Sequence, residues 1–117
     1  MKRDLDFCRE ILLHVEGLSA GLFLLDEEDF PDRAPDEIDY HVRLLVDAGL
    51  LDGPGNGTVQ GLTWKGHEFL DAARDDTMWN RAKGVVKEKT GGAAFDLVKD
   101  TLLELGKRAV FGALGIG

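Results

Sequence analysis

The sequence predicts a mainly α chain with one small β-hairpin, and three observations carry that prediction. Leu5, Cys8, Ile11, Leu12 and Val15 recur at helical spacing between Asp4 and Gly17. Ile38, His41, Val42 and Leu45 repeat the pattern before Gly49, and Gly53-Pro54-Gly55-Asn56-Gly57 then breaks it with residues suited to a tight turn. Phe95, Val98, Leu102, Leu105 and Ala109 form a last stripe at 3-4-3-4 spacing. A helix stopped by glycine, a short hairpin and a further helix follow one another as in the second half of a winged helix. The expected architecture is a winged-helix core over residues 1–75 and a C-terminal extension of two helices over 76–117.

Each element has its own signals. Asp4 suits the N-cap of a first helix that runs to Glu16, with Gly17 as its stop. Leu22 to Leu25 is a short apolar run between Gly21 and an acidic block, and reads as a buried strand or a tight loop. The acidic segment that follows contains Pro31 and Pro35, which forbid a long helix where a winged helix has its second one. The next helix spans Pro35 to Ala48: proline fits a first turn, Asp36 and Glu37 suit the positive helix end, and Gly49 fits C′. Leu50-Leu51 and Thr58 to Leu62 would be the two strands of the hairpin. Thr63 is a good N-cap for a third helix through Arg74, and a fourth starts after Asp76 or Thr77 and ends before Gly91. Trp64 and Trp79 are expected to cap the core where helices meet.

Composition narrows the function classes. The 117 residues suffice for one modest core, and a hydrophobic share of 44% argues against disorder. One cysteine, Cys8, excludes an internal disulfide framework and suits a reducing, cytoplasmic location. The start Met1-Lys2-Arg3-Asp4 predicts no signal peptide, and no apolar run is long enough to span a membrane. Charge is uneven. Residues 1–80 hold 7 bases against 18 acids, whereas 81–117 hold 7 bases against 4 acids. Asp26 to Asp39 alone carries eight acids against Arg33, a block that repels phosphates and suits a basic partner.

Three stretches carry a resemblance. Lys2-Arg3-Asp4, the string Ile38…Tyr40-His41…Leu44-Leu45…Ala48-Gly49-Leu50, and Leu62-Thr63-Trp64…Gly66-His67-Glu68-Phe69-Leu70-Asp71 resemble a bacterial and prophage domain-of-unknown-function family with a winged-helix-like core. The resemblance covers nearly the whole chain. It implies a phage-related or genome-defence setting and carries no activity, substrate or catalytic residue.

Chemistry of its own has thin support. Cys8 sits on the apolar stripe of the first helix, so a structural thiol is expected. His41 points to the apolar side of its helix and reads as a hydrogen-bonded core residue. His67 precedes Glu68, but the position four residues on is Asp71 where a zincin helix needs histidine, and His14 lies far off. Neither an EF-hand loop nor a phosphate-binding glycine loop is present. The chain is expected to be a non-enzyme with no cofactor and no metal.

Binding is the remaining class. The outward face of the Pro35–Ala48 helix would carry Asp36, Asp39, Tyr40, Arg43 and Asp47, one base against three acids. A DNA reader places Arg, Lys, Asn or Gln there, and the turn from Gly53 to Gly61 has no Lys or Arg to anchor phosphates. The leading expectation is therefore a regulatory or adaptor protein that offers Asp29, Asp32, Asp36 and Asp39, flanked by Tyr40 and Arg43, to a basic protein partner. The alternative is a DNA-binding winged-helix regulator whose phosphate contacts come from Arg81, Lys83, Lys87 and Lys89. The final nine residues from Ala109 carry no charge and are expected to dock on the chain's own core or on a second subunit. A homodimer through Phe95, Val98, Leu102, Leu105 and Phe111 is expected because the last stripe suits a terminal-helix interface.

Overall fold

The computed structural model describes residues 1–90 and 98–105, with the side chains of 86–90 left aside. Helix α1 (Leu5–Glu16) is capped by Asp4, whose carboxylate accepts the Phe7 N–H. Its buried stripe holds Leu5, Phe7, Cys8, Ile11, Leu12 and Val15, the predicted set with Phe7 added. Helix α2 (Pro35–Asp47) begins at Ala34 without a side-chain cap, so Pro35, Asp36 and Glu37 supply the favourable first turn. It ends as a Schellman motif. Gly49 takes φ of +78°, its N–H donates to Val46 O, and the Leu50 N–H reaches back to Leu45 O at 2.9 Å.

The hairpin is more divided than the sequence suggests. Strand β1 (Phe23–Leu24) pairs antiparallel with β3 (Thr58–Val59), with Phe23 opposite Val59. Strand β2 (Leu51–Asp52) pairs antiparallel with β4 (Gly61–Leu62), with Leu51 opposite Leu62. The returning chain therefore serves two partners in turn, changing at Gln60, whose N–H still donates to Asp52 O. One expected hairpin becomes two short ladders because the Leu22 to Leu25 run enters as a strand of its own.

Thr63 caps helix α3 (Trp64–Ala73) as expected, its hydroxyl oxygen accepting the Gly66 N–H at 2.9 Å and its O–H donating to Gly49 O. Gly66 permits the docking of this helix, since a Cβ there would overlap the Leu50 carbonyl. Helix α4 (Asp76–Thr90) starts with Asp75 as cap, a residue or two earlier than expected. Residues 98–105 are helical as well.

The chain divides into two compact units, Met1–Leu70 and Asp71–Gly117, with the division inside α3 rather than after it. In the first unit α1 packs on α2 and on β4, and α2 packs on β2. Phe7, Ile11, Ile38, Leu45, Leu50 and Phe69 are among its largest wholly buried apolar side chains. In the second unit Trp79, Ala82, Val98 and Leu102 are buried. The fold is thus mainly helical with small antiparallel strand pairs.

Candidate partner-binding site

The acidic segment is held down by a polar and aromatic cluster at the start of α1. Asp4 caps the helix with Oδ1 and accepts Arg33 Nη1 on Oδ2 at 3.0 Å. Arg33 also reaches Glu37 Oε2 at 3.3 Å, and its guanidinium lies 4.2 Å over the Phe7 ring. Burial alone would raise the Asp4 carboxyl's pKa, but the Phe7 N–H and the Arg33 guanidinium outweigh it and hold the group below its ordinary value. Arg33 moves the other way: burial lowers its pKa, and Asp4 and Glu37 more than restore it.

His41 completes the cluster from α2 and is wholly buried, as the sequence predicts. Its Nε2 accepts the Asp4 backbone N–H at 2.9 Å, so Nδ1 must carry the proton that is donated to Glu37 O at 2.8 Å. The ring ties the entry of α1 to the first turn of α2. Phe30 descends from the acidic segment onto the Phe7 ring, edge to face at 5.3 Å, and meets the His14 ring at 5.1 Å.

This anchoring sorts the candidate carboxylates. Asp29 is half-buried: Oδ2 accepts the Asp26 N–H at 3.1 Å, and Oδ1 lies 3.3 Å from His14 Nε2, off the direction a hydrogen bond requires. Through these contacts it serves the local turn. Asp32, Asp36 and Asp39 are exposed. Asp36 accepts the N–H of Glu37 at 3.0 Å, and Asp39 leans toward Gly57 in the turn after β2. Tyr40 is half-buried against the His41 ring, and exposed Arg43 sits 5.8 Å over the Tyr40 ring. Asp36, Asp39, Tyr40 and Arg43 thus remain available on α2, with exposed Asp32 in the segment just before it.

The other expected sites fare differently. Arg81 is exposed, and Lys83 extends its ammonium to 5.5 Å over the Trp79 ring. The side chains of Lys87 and Lys89 lie outside the described residues, as do Phe95 and Phe111. Val98 and Leu102 are buried within the single chain, and Leu105 is half-buried. Trp79 is buried in the second unit, but Trp64 is 82% exposed with its indole N–H on Glu68 Oε1. The reason is helical phase: Trp64 lies opposite the face that buries Leu70 and Ala73.

Two features escaped the sequence reading. Leu22 and Leu24 are 62% and 63% exposed although they belong to a run expected to be buried. Strand alternation was the available signal, since Leu25 is buried and Phe23 is half-buried. A cavity of about 290 Å³ opens beside Phe23 and Val59, with Glu16 and His67 as the titratable groups on its wall. Cys8 is buried, as its place on the apolar stripe predicts, and burial pushes its thiol up to about 12. Among the described residues no three His, Cys, Asp or Glu side chains converge as a metal would require. No described helix is long and apolar enough to cross a membrane.

Comparison with known proteins adds a family. Residues 2–93 match the family described as hypothetical protein DUF2513. An uncharacterised protein of Haemophilus influenzae is 35% identical over 106 residues, which covers 85% of this chain and 90% of the relative. No solved structure matches the chain.

Proposed function

The chain belongs to the DUF2513 family, and on that premise we propose that it is a non-catalytic regulatory or adaptor protein that captures a basic protein partner. The carrying observation is the exposed pair Asp36 and Asp39 on α2 with Tyr40 and Arg43, preceded by exposed Asp32, in a unit whose turn from Gly53 to Gly61 lacks any Lys or Arg. In this reading α1, β1, α2, the paired strands and α3 make a winged-helix core in which the Phe30 turn replaces the usual second helix. The setting is bacterial or prophage, and α2, the recognition helix of such folds, shows carboxylates where a DNA reader shows cations. The partner is basic because the face that meets it is acidic, and a DNA-binding surface that this chain blocks has that character.

The test is capture by the tagged chain. Replacing Asp36 and Asp39 together with Lys is expected to abolish retention of the partner while the unfolding midpoint holds. Unchanged retention removes the reading.

A second reading is supported by α4, where Arg81 is exposed and Lys83 is braced on Trp79: a DNA-binding regulator that anchors phosphates through this helix. It predicts that fragmented genomic DNA captured near physiological salt is enriched at discrete sites. It also predicts that replacing Lys83 and Lys87 with Ala weakens binding at all of them. Recovery at background excludes it.

A further inference from the structure

We propose that the free edge of β1 takes up an extended, lysine- or arginine-bearing segment of the partner protein as an added strand. The proposal rests on the acidic-face reading above and states how the partner is held. Three observations combine.

The first is backbone geometry. Strand β1 pairs with β3 on one side only, and the Leu25 N–H donates to Gly57 O at 3.0 Å on that side. In an antiparallel ladder the peptide groups of successive residues point to opposite edges. Those of Leu24, and of Leu22 before it, therefore face away from β3, and no described residue pairs with them. That is a template for one more strand.

The second is side-chain exposure. Leu22 and Leu24 project on one face of the strand and are both more than half exposed, whereas Leu25 beside them is buried. Edge strands are commonly guarded by a lysine, a proline or a bulge. This edge has none: Gly21-Leu22-Phe23-Leu24-Leu25 carries no charge. The alternate apolar side chains of an incoming strand would find the two leucines as their counterpart.

The third is charge, and it selects the occupant. Leu24 Cδ1 and Asp39 Oδ1 approach the same spot, lying 3.4 Å and 3.2 Å from where a Cβ of Gly57 would stand. The strand runs directly into Asp26-Glu27-Glu28-Asp29. The edge thus ends in, and is flanked by, carboxylates. A second copy of this chain would bring like charges together. A segment with apolar residues at alternate positions and Lys or Arg at its ends meets both the leucines and the acids.

Short random peptides displayed on phage supply the probe. They are selected on the whole chain, and the strongest binder is synthesised and titrated by fluorescence anisotropy. Binders should alternate apolar residues and carry Lys or Arg. Leu24→Pro removes an outward N–H without touching the ladder to β3, and should weaken the peptide at least about tenfold. Leu24→Lys, which leaves the backbone intact, should also weaken it, and circular dichroism checks both variants for folding. N-methylation of every second amide of the peptide should abolish binding, and methylation of the intervening amides should not. No enriched peptide, or one indifferent to these changes, overturns strand addition. A peptide that ignores both Leu24 variants but is lost on Asp36→Lys with Asp39→Lys overturns it too, while leaving the acidic-face reading standing. A wild-type dimer in light scattering that Leu24→Pro converts to a monomer would assign the edge to a second copy and overturn the proposal.

Discussion

Asp4 performs two tasks with one carboxylate, and two substitutions separate them. Oδ1 caps α1 through the Phe7 N–H, and Oδ2 pairs with Arg33 at 3.0 Å. Loss of an N-cap costs about 1 kcal/mol. The ion pair is partly exposed, with side chains 37% and 25% accessible, so solvent screening limits it to about 0.5–1 kcal/mol. Asp4→Ala should therefore cost about 1.5–2 kcal/mol, which lowers the melting midpoint of a chain this size by roughly 6–15 °C. Asp4→Asn keeps a cap oxygen and loses the charge, so about 0.5–1 kcal/mol should go. The pH dependence has a definite sign. The folded carboxyl titrates below its ordinary value, so its contribution is complete above the unfolded pKa and is lost as pH falls through the folded one. The stability gap between wild type and Asp4→Asn should be full at neutral pH and close in acid. Urea melts followed by circular dichroism between neutral pH and about pH 3 measure both quantities. The assignment is refuted if Asp4→Asn is as damaging as Asp4→Ala, or if the gap persists undiminished in acid.

Three further outcomes follow from single contacts. Gly66→Ala should destabilise by about 1–3 kcal/mol, because the new methyl group overlaps the Leu50 carbonyl, and a urea melt reads it directly. Trp64→Ala should stay within about 0.5 kcal/mol of wild type, since the indole is largely in solvent and holds only Glu68. Cys8, with its thiol pushed up to about 12, should resist iodoacetamide at pH 8 in the folded chain, where roughly one thiol in ten thousand is ionised. Labelling in urea should be rapid, and equal labelling rates would contradict the burial.

The helices were legible because each combines a periodic stripe with local punctuation. Asp4, Pro35, Gly49 and Thr63 each do in the structure what their chemistry suggests. Gly17 also ends α1, though in a right-handed conformation at φ of −79° rather than the left-handed one that favours glycine. What was not legible depends on pairing between distant segments. Nothing local to Thr58-Val59 says that its partner is Phe23-Leu24, more than thirty residues earlier, rather than Leu51-Asp52 just before it. The binding face was legible only in part. Charge density marks the acidic segment, but not which carboxylates turn inward, because that follows from Phe30 docking on Phe7 and His14.

That distinction makes Asp29 and Asp32 a useful pair. They are three residues apart in one acidic block, and composition treats them alike. Asp29 accepts the Asp26 N–H and lies 3.3 Å from His14 Nε2, whereas Asp32 is exposed with no comparable tie. Asp29→Lys would leave the Asp26 N–H without its acceptor and set an ammonium beside the imidazole, at a cost of about 1–2 kcal/mol. The turn that carries Phe30 would loosen, and with it the position of every outward carboxylate. Asp32→Lys should leave stability within about 0.5 kcal/mol, yet weaken a basic partner through charge reversal alone. If the two variants were equally stable and equally poor at capture, the segment would act as undifferentiated charge. If Asp32→Lys captured normally and Asp29→Lys failed in both respects, the turn would be a structural device only, and the binding face would contract to Asp36 and Asp39 on α2.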